Sequence, residues 1–213
     1  MGQRIRLLPD KAAFWMETAT LMVADVHLGK SGHFRRHGLA VPGQVSAKDV
    51  NRLSKLVQTE QPKRVLFLGD LFHSSFNREW RLLGELIQTY PSIEWMLVKG
   101  NHEYLADDVY GRLGLQVVSG QWSLGPFVFR HEPTWEGDNP QTDRCFEWSG
   151  HLHPGILLRG LARQNMRIPC FYQRPQGVVL PAFGSFTGLS LQPPEAAESI
   201  FGVADGRVFP LYA

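Results

Sequence analysis

Short apolar segments that end in potential metal ligands recur along this 213-residue chain. Runs of four or five apolar residues, bounded by turn residues, are typical of buried β-strands with loops at their ends. Five segments follow this pattern, namely residues 21–24 before Asp25, 64–68 before Gly69 and Asp70, 95–98 before Lys99, Gly100 and Asn101, 127–129 before Arg130 and His131, and 145–148 before Ser149, Gly150 and His151.

Helical patterns separate the first strands. Residues 47–60 and 77–90 carry apolar side chains at helical spacing, each range is followed by a proline, and residues 107–113 fit a short helix. The alternation predicts a layered α/β domain. Residues 178–183, 199–204 and 207–212 read as further strands, with a hairpin at Asp205 and Gly206, so we expect mixed pairing.

Length and composition limit the number of domains, the membrane association and the location that we expect. A chain of 213 residues fits one domain, and we expect a single domain over residues 1–213. No run of 18 or more apolar residues predicts a membrane span, and the first residues lack the apolar stretch of a secretory signal. Two cysteines, Cys145 and Cys170, do not form a disulfide framework, so a cytoplasmic location is expected.

Basic residues are distributed unevenly, although the net charge is only +2. No acidic residue occurs from Val26 to Lys48 or from Trp148 to Pro194, whereas both stretches contain arginine. Guanidinium groups suit phosphate oxygens. Two solvated basic loops would explain the same pattern equally well.

Five polar blocks carry the chemistry. Side chains two apart on an extended segment point the same way, so Asp25 and His27 can face one point, as can His151 and His153. Imidazoles and carboxylates suit divalent transition metals. A glycine before a strand-end ligand lets the backbone turn sharply. The blocks are Asp25-x-His27, Gly69-Asp70, Gly100-Asn101-His102-Glu103, His131 and Gly150-His151-x-His153.

These blocks, in this order, resemble the calcineurin-like metallophosphoesterase superfamily. The resemblance implies an α/β fold, a four-layer sandwich of two mixed β-sheets flanked by helices. It also implies two divalent metal ions, with manganese expected and iron, zinc or cobalt as alternatives. By the same resemblance the first ion is bound by Asp25, His27, His153 and Asp70, and the second by Asn101, His131, His151 and the bridging Asp70.

Two ions about 3.5–4 Å apart clamp the attacking and leaving oxygens of an in-line displacement and make hydroxide available, so a metal-bridging hydroxide is the expected nucleophile. Asn101 adds a neutral oxygen. His102, next to Asn101, is the candidate general acid for the leaving oxygen, with a hydrogen-bonding role near the ligands as the alternative. Glu103 could orient His102, or it could be a surface carboxylate.

A narrower resemblance covers almost the whole chain. Residues 24–38 (ADVHLGKSGHFRRHG) and the stretches GHLHPG, RQNMRIPCF and LPAFGSFTG are similar to bacterial ligase-associated metallophosphoesterases. This resemblance implies a DNA-repair phosphodiesterase or endonuclease that acts on single-stranded or other non-duplex DNA, in association with an ATP-dependent ligase and a helicase. One departure is Leu189, where the resemblance leads us to expect a second glycine.

Contacts to the substrate are predicted for a few residues. Asp70-Leu71-Phe72-His73 is similar to a motif of double-strand-break repair nucleases, in which the histidine contacts the phosphate, so His73 is assigned that catalytic role. Lys30, Arg35 and Arg36 are candidates for substrate oxygens. Trp122, Trp135 and Phe171 could stack on bases, but core positions are the interpretation we prefer.

Two other functions stay open from the residues alone. A phosphomonoesterase or dinucleotide hydrolase would use the same metals. A non-catalytic scaffold of the same fold would hydrolyse no substrate. The intact blocks favour an enzyme. No membrane association is expected, and both a monomer and a homodimer are compatible with the sequence.

Overall fold

The computed structural model describes residues 2–30, 45–73, 78–101, 103, 105–134, 145–160 and 164–212. A six-stranded sheet contains strands β1 to β6 in chain order. Their bounds are Ile5–Leu8, Ala12–Trp15, Thr20–Ala24, Arg64–Leu68, Glu94–Val98 and Gln116–Val118. Strands β1 to β3 pair antiparallel, and β3 to β6 pair parallel.

In the described part of the chain, three α-helices connect the parallel strands, and their apolar faces explain where they lie. Helices α1 (Val45–Glu60), α2 (Arg78–Thr89) and α3 (Asp107–Arg112) follow β3, β4 and β5. A core between these helices and the first sheet includes Leu53, Leu83 and Tyr110, each at most 2% exposed. Because helices cover one face and the second sheet covers the other, β3 is buried along its whole length.

The second sheet has nine strands in the described residues, in the order β13-β10-β11-β12-β9-β8-β7 with β14 and β15 paired beside β11. Their bounds, from β7 to β15, are Gln121–Leu124, Phe127–Arg130, Phe146–Ser149, Pro154–Arg159, Asn165–Arg174, Gly177–Val179, Ser190–Leu191, Ser199–Ala204 and Arg207–Tyr212. Strand β9 pairs parallel with β8 and β12, whereas β11 pairs antiparallel with β10 and β14. The predicted arrangement of two mixed sheets flanked by helices is confirmed.

A second apolar core joins the two sheets. It packs Met22, Leu66 and Met96 of the first sheet against Phe129 and Phe171 of the second. Phe171 is completely buried, so it cannot stack on a base, and the interpretation of this residue as core is confirmed. The two sheets therefore pack face to face, and the ends of their strands meet along one edge of the interface.

The predicted strand over residues 178–183 was too long. The sheet pairing of β12 ends at Val179, because Pro181 has no N–H to donate to a neighbouring strand. The chain then crosses to the first sheet, where Phe183 N donates to Ala24 O at 2.8 Å. The hairpin prediction is confirmed, since Asp205 and Gly206 have φ values of 50° and 67°, as a type I′ turn requires.

None of the described helices is both long enough and apolar enough to span a lipid bilayer.

Candidate metal centre

All seven predicted metal ligands follow strands whose carboxyl ends meet at one edge of the two sheets. The first sheet supplies ligands after β3, β4 and β5, and the second sheet supplies them after β8 and β9. The backbone ties these loops together, because His27 N donates to Asp70 O at 2.8 Å and Gly150 N donates to His131 O at 2.9 Å. The seven residues are Asp25, His27, Asp70, Asn101, His131, His151 and His153.

One group of ligand atoms is formed by Asp25, His27 and His153, whose donor atoms all lie within 4.8 Å of one another. The two Nε2 atoms of His27 and His153 are 3.1 Å apart. Asp25 Oδ1 lies 3.6 Å from His153 Nε2. Asp70 Oδ2 lies 3.8 Å from His27 Nε2 and approaches the group from the neighbouring strand.

A second group surrounds His131 Nε2. Asn101 Oδ1 lies 3.2 Å from this nitrogen, His151 Nδ1 lies 3.0 Å away, and Asp70 Oδ1 lies 3.5 Å away. The other ring nitrogen, Nδ1, is 3.1 Å from Leu68 O, which can accept a hydrogen bond from it. That bond selects the tautomer whose Nε2 lone pair points into the group, the usual arrangement of a metal-ligating histidine.

Asp25 joins the two sheets at the centre of the site. The residue is completely buried, and its Oδ2 accepts a hydrogen bond from His151 N at 2.9 Å. Its Oδ1 is buried without a hydrogen-bond partner among the described residues. A buried carboxylate oxygen without a donor is unfavourable unless a cation neutralises it. The donor set of nitrogens and oxygens therefore fits divalent metal ions.

The ligands converge for a different reason from the one expected. Five of the seven have left-handed backbone, with φ of 54° at Asp25, 50° at His27, 47° at Asp70, 68° at His151 and 47° at His153. The prediction that these pairs lie on extended segments was therefore wrong. Left-handed backbone is unfavourable for residues with a Cβ atom, by about 1–2 kcal/mol each, and such conformations cluster at functional sites.

The three glycines that precede ligands are needed mainly for space. An added Cβ at Gly100 would lie 2.5 Å from Asp70 Oδ1, and one at Gly150 would lie 2.6 Å from Asp25 Oδ2. Only Gly69 of these three also has a positive φ, at 71°. The expected sharp turn is thus present at Gly69, whereas the other two positions exclude a side chain because a carboxylate ligand lies there.

Glu103 braces the site, a role that was not predicted from the sequence. It is 8% exposed, so the surface alternative was wrong. Its carboxylate accepts hydrogen bonds from Leu71 N at 2.5 Å and Gly100 N at 2.6 Å. Burial raises the pKa of Glu103, and the hydrogen bond from Leu71 N opposes that rise. Glu103 holds together the loops that carry Asp70 and Asn101.

Replacing Glu103 with alanine should weaken metal binding about 10- to 100-fold, as loss of a group that orients ligands does. Two buried N–H groups would lose their acceptor, at about 1–3 kcal/mol each, so the protein should also be less stable. Isothermal titration with Mn²⁺ and thermal unfolding measure the two effects. Exposed Glu195 offers the control, since E195A should match the wild type in both. Unchanged affinity in E103A would contradict the bracing role.

Two predicted substrate contacts lie beside the ligands. Lys30 is half-buried, and burial lowers the pKa of its ammonium group while the charges of Asp70 and Asp25 raise it. The ring of His73 lies 5.9 Å from that of His27, between centroids. The predictions for His102, Arg35 and Arg36 fall outside the described residues.

A cleft of about 470 Å³ opens beside Asn101 and His131. The donor atoms of His131, Glu132 and His151 lie within 4.8 Å of one another, so Glu132 is a further carboxylate near the second group. Glu132 was not predicted to be part of the site. Its position next to His131 in the sequence is the one feature that could have indicated it. Two cations that line the cleft, Lys99 and Arg130, lie 2.8 Å from Asp107 and 3.1 Å from Glu147, respectively.

The chain is similar to known proteins in both sequence and structure. Residues 19–169 match the family model described as calcineurin-like phosphoesterase. The crystal structure of Pseudomonas putida nuclease MPE is similar, with 31% sequence identity, a TM-score of 0.80, and coverage of 99% of this chain and 96% of that one. A protein of unknown function from Aquifex aeolicus has 16% identity, a TM-score of 0.44, and coverage of 62% and 77%. No curated protein sequence matches the chain.

Proposed function

Because this chain belongs to the calcineurin-like phosphoesterase family and is a metal-dependent phosphoesterase, we propose that its substrate is DNA and that it cleaves phosphodiester bonds as an endonuclease. The observation that carries the proposal is the pair of ligand groups at the edge where the two sheets meet, in a chain that is similar to a nuclease over 99% of its length. A role in DNA repair beside a ligase and a helicase belongs to the same proposal.

Two metal ions would be held by the seven residues. The first would bind Asp25, His27 and His153, the second would bind Asn101, His131 and His151, and Asp70 would bridge them. The two carboxylate oxygens of Asp70 support this division, because Oδ2 faces His27 and Oδ1 faces His131. We propose manganese as the ion, since the carboxylate and amide oxygens of the set suit it, with iron or zinc as the alternatives that suit the imidazole nitrogens.

When bound, such ions supply Lewis acidity and lower the pKa of a bound water to near neutrality. The residues of the chain position the phosphate and move the proton. Lys30 can hold a non-bridging oxygen, because its ammonium group lies close enough to Asp25 and Asp70 for their charges to alter its pKa. His73, beside His27, would contact the same phosphate, and His102 would protonate the leaving oxygen.

Charge favours a diester with a long polyanionic body over a small monoester. No acidic residue occurs in the sequence from Trp148 to Pro194, a stretch that includes the ligands His151 and His153. A polyanion gains from such a basic region along its length, whereas a small monoester gains only at the site. Arg35 and Arg36, which lie in the other acid-free stretch of the sequence, would add to this basic character.

The test is a substrate panel with manganese-loaded protein. Circular single-stranded DNA should be converted to linear molecules, and a phosphodiester dye substrate should be hydrolysed faster than the matching monoester. H27A should remove all cleavage. H102A should lower kcat about 100- to 10,000-fold on substrates with a poor leaving group, and by less on nitrophenyl esters, because a good leaving group needs no proton.

A strong preference for the monoester, with circular DNA left intact, would refute the nuclease proposal and favour a phosphomonoesterase. Cleavage that persists in H27A would reveal a contaminant. Full metal binding without hydrolysis of any ester, together with tight binding to a ligase or helicase, would indicate the scaffold function instead. Sedimentation of the same preparation would distinguish a monomer from a homodimer, and a single unfolding transition is expected from one domain over residues 1–213.

A further inference from the structure

We propose that a single DNA strand leaves the metal centre over Phe186 and continues along a basic face formed by Arg159 and Arg167. Phe186 would stack on a base, and the two guanidinium groups would bind backbone phosphates. This proposal rests on the proposed nuclease function, and it adds the path of the strand and the residues that bind it.

The loop that carries Phe186 is fixed to the metal centre at both ends. Gly184 N donates to Asp25 O at 3.1 Å, and Ser190 N donates to His153 O at 3.0 Å. Asp25 and His153 belong to the same ligand group. The loop therefore spans the rim of that group, and Phe186 lies in it with 37% of its surface exposed.

A partly buried ion pair between Arg52 and Asp49 holds the residue before Phe186. Asp49 is 3% exposed, and its carboxylate accepts hydrogen bonds from Ser185 N at 3.0 Å and Ser185 Oγ at 2.5 Å. Arg52 donates to the same carboxylate at 3.0 Å and also donates to Phe183 O. Such bracing fixes the backbone under an exposed aromatic ring, so little conformational entropy would be lost when a base stacks there.

The same loop crosses the sheet face that carries the two arginines. A Cβ added at Gly155 would lie 2.9 Å from Leu189 Cβ, so Leu189 packs over this face of β10. In the β10–β11 pair, Leu157 lies opposite Arg167 and Arg159 opposite Asn165. Gly155, Leu157 and Arg159 alternate onto one face, and Arg167 shares it as the partner of Leu157.

These two arginines differ from most others in the described part of the chain. Arg4, Arg64, Arg112 and Arg130 each have an acidic partner within 4.0 Å. Arg159 and Arg167 are exposed and have no such partner among the described residues. No acid in the described part of the chain pairs with them, so their charges can bind an anion that approaches the face.

An aromatic platform followed by uncompensated cations is the combination that binds single-stranded nucleic acid. Bases of any sequence can stack on an aromatic ring, and cations along the path bind the backbone and release counterions. A base in a duplex is already stacked, so the platform selects unpaired strands. Leu191, the strand partner of Gly155 and 41% exposed, adds apolar surface to the face that carries the arginines.

Fluorescence anisotropy with a labelled oligodeoxythymidylate in EDTA tests binding without cleavage. F186A should bind about 5- to 100-fold more weakly, as loss of one stacked base predicts, while F186Y keeps the affinity. An abasic oligonucleotide of equal length should bind F186A and the wild type alike. In the R159Q/R167Q double variant, the slope of log affinity against log salt should shrink by about 1.4, or about 0.7 per lost contact.

Arg207, exposed at the β14–β15 hairpin, gives the matched control, and R207Q should keep the wild-type slope. Equal weakening of the normal and abasic oligonucleotides by F186A would mean that Phe186 only supports the loop, and this would overturn the stacking role. An unchanged slope in R159Q/R167Q would overturn the basic path. If the wild type cleaves circular DNA but the variants bind the oligonucleotide with its affinity and salt slope, only the proposed strand path is refuted. If the wild type cleaves no DNA, the nuclease proposal fails as well.

Discussion

D70N should lose at least about a thousandfold of the phosphoesterase rate. Asparagine has the shape of aspartate but lacks its negative charge. In the wild type, the two carboxylate oxygens of Asp70 lie 3.5 Å from His131 Nε2 and 3.8 Å from His27 Nε2. Loss of the shared carboxylate should weaken both ligand groups together. Metal-centred stabilisation of the transition state is worth several kcal/mol, and each 1.36 kcal/mol is tenfold in rate.

Two measurements separate this effect from misfolding. Titration with Mn²⁺ should show that D70N holds fewer than two ions per chain, while far-ultraviolet circular dichroism stays that of the wild type. D108N changes an exposed carboxylate in α3 that pairs with Arg112, and it should cleave at the wild-type rate. Retention of two tightly bound ions and a rate within tenfold of the wild type would refute the bridging role of Asp70.

G100A should lower activity about 100-fold and destabilise the protein by about 1–3 kcal/mol. The new methyl carbon would lie 2.5 Å from Asp70 Oδ1, 2.7 Å from Asp70 N and 2.9 Å from Glu103 Oε2. The two carboxylates and the backbone must move apart to admit it, so the Asp70 ligand is displaced. Thermal unfolding and steady-state kinetics measure the two effects.

Gly111 provides the comparison for G100A. It lies in α3, and a Cβ added there has no heavy atom within 4 Å. G111A should therefore be as active as the wild type and more stable by about 0.5–1 kcal/mol, because alanine favours a helix over glycine. If G100A kept full activity with bound metal, the loop would be adaptable and the close approach of the carboxylates would not matter.

The parallel half of the fold could be predicted because local patterns and tertiary structure agree there. The apolar segment 64–68 is a strand with those bounds, and helical spacing placed α1 and α2 within two residues of their observed ends. Strands β1, β2, β6, β7, β10, β11 and β13 were missed. Of these, β1 and β13 are short and partly exposed, so they have no apolar run, and their pairing is determined by neighbouring strands instead.

The seven-residue set could be found in the sequence because each predicted ligand lies within four residues of a strand end. The backbone conformation that brings these residues together could not be predicted from the sequence. Left-handed backbone at His27 and His153 depends on hydrogen bonds from distant loops, and spacing alone suggested extended segments. The bracing role of Glu103 and the exposed position of Phe186 were missed for a related reason. Burial of the first and exposure of the second are decided by segments far away in the chain.

The hydrogen bond from His151 N to Asp25 Oδ2 also has a consequence during synthesis of the protein. A ribosome adds roughly 5–20 residues per second, so Asp25 and Asp70 emerge several seconds before His151 has been made. Throughout that interval the nascent chain holds only part of its donor set, and Asp25 lacks the partner that anchors it to the second sheet. The complete donor set is thus absent until His151 and His153 have been translated.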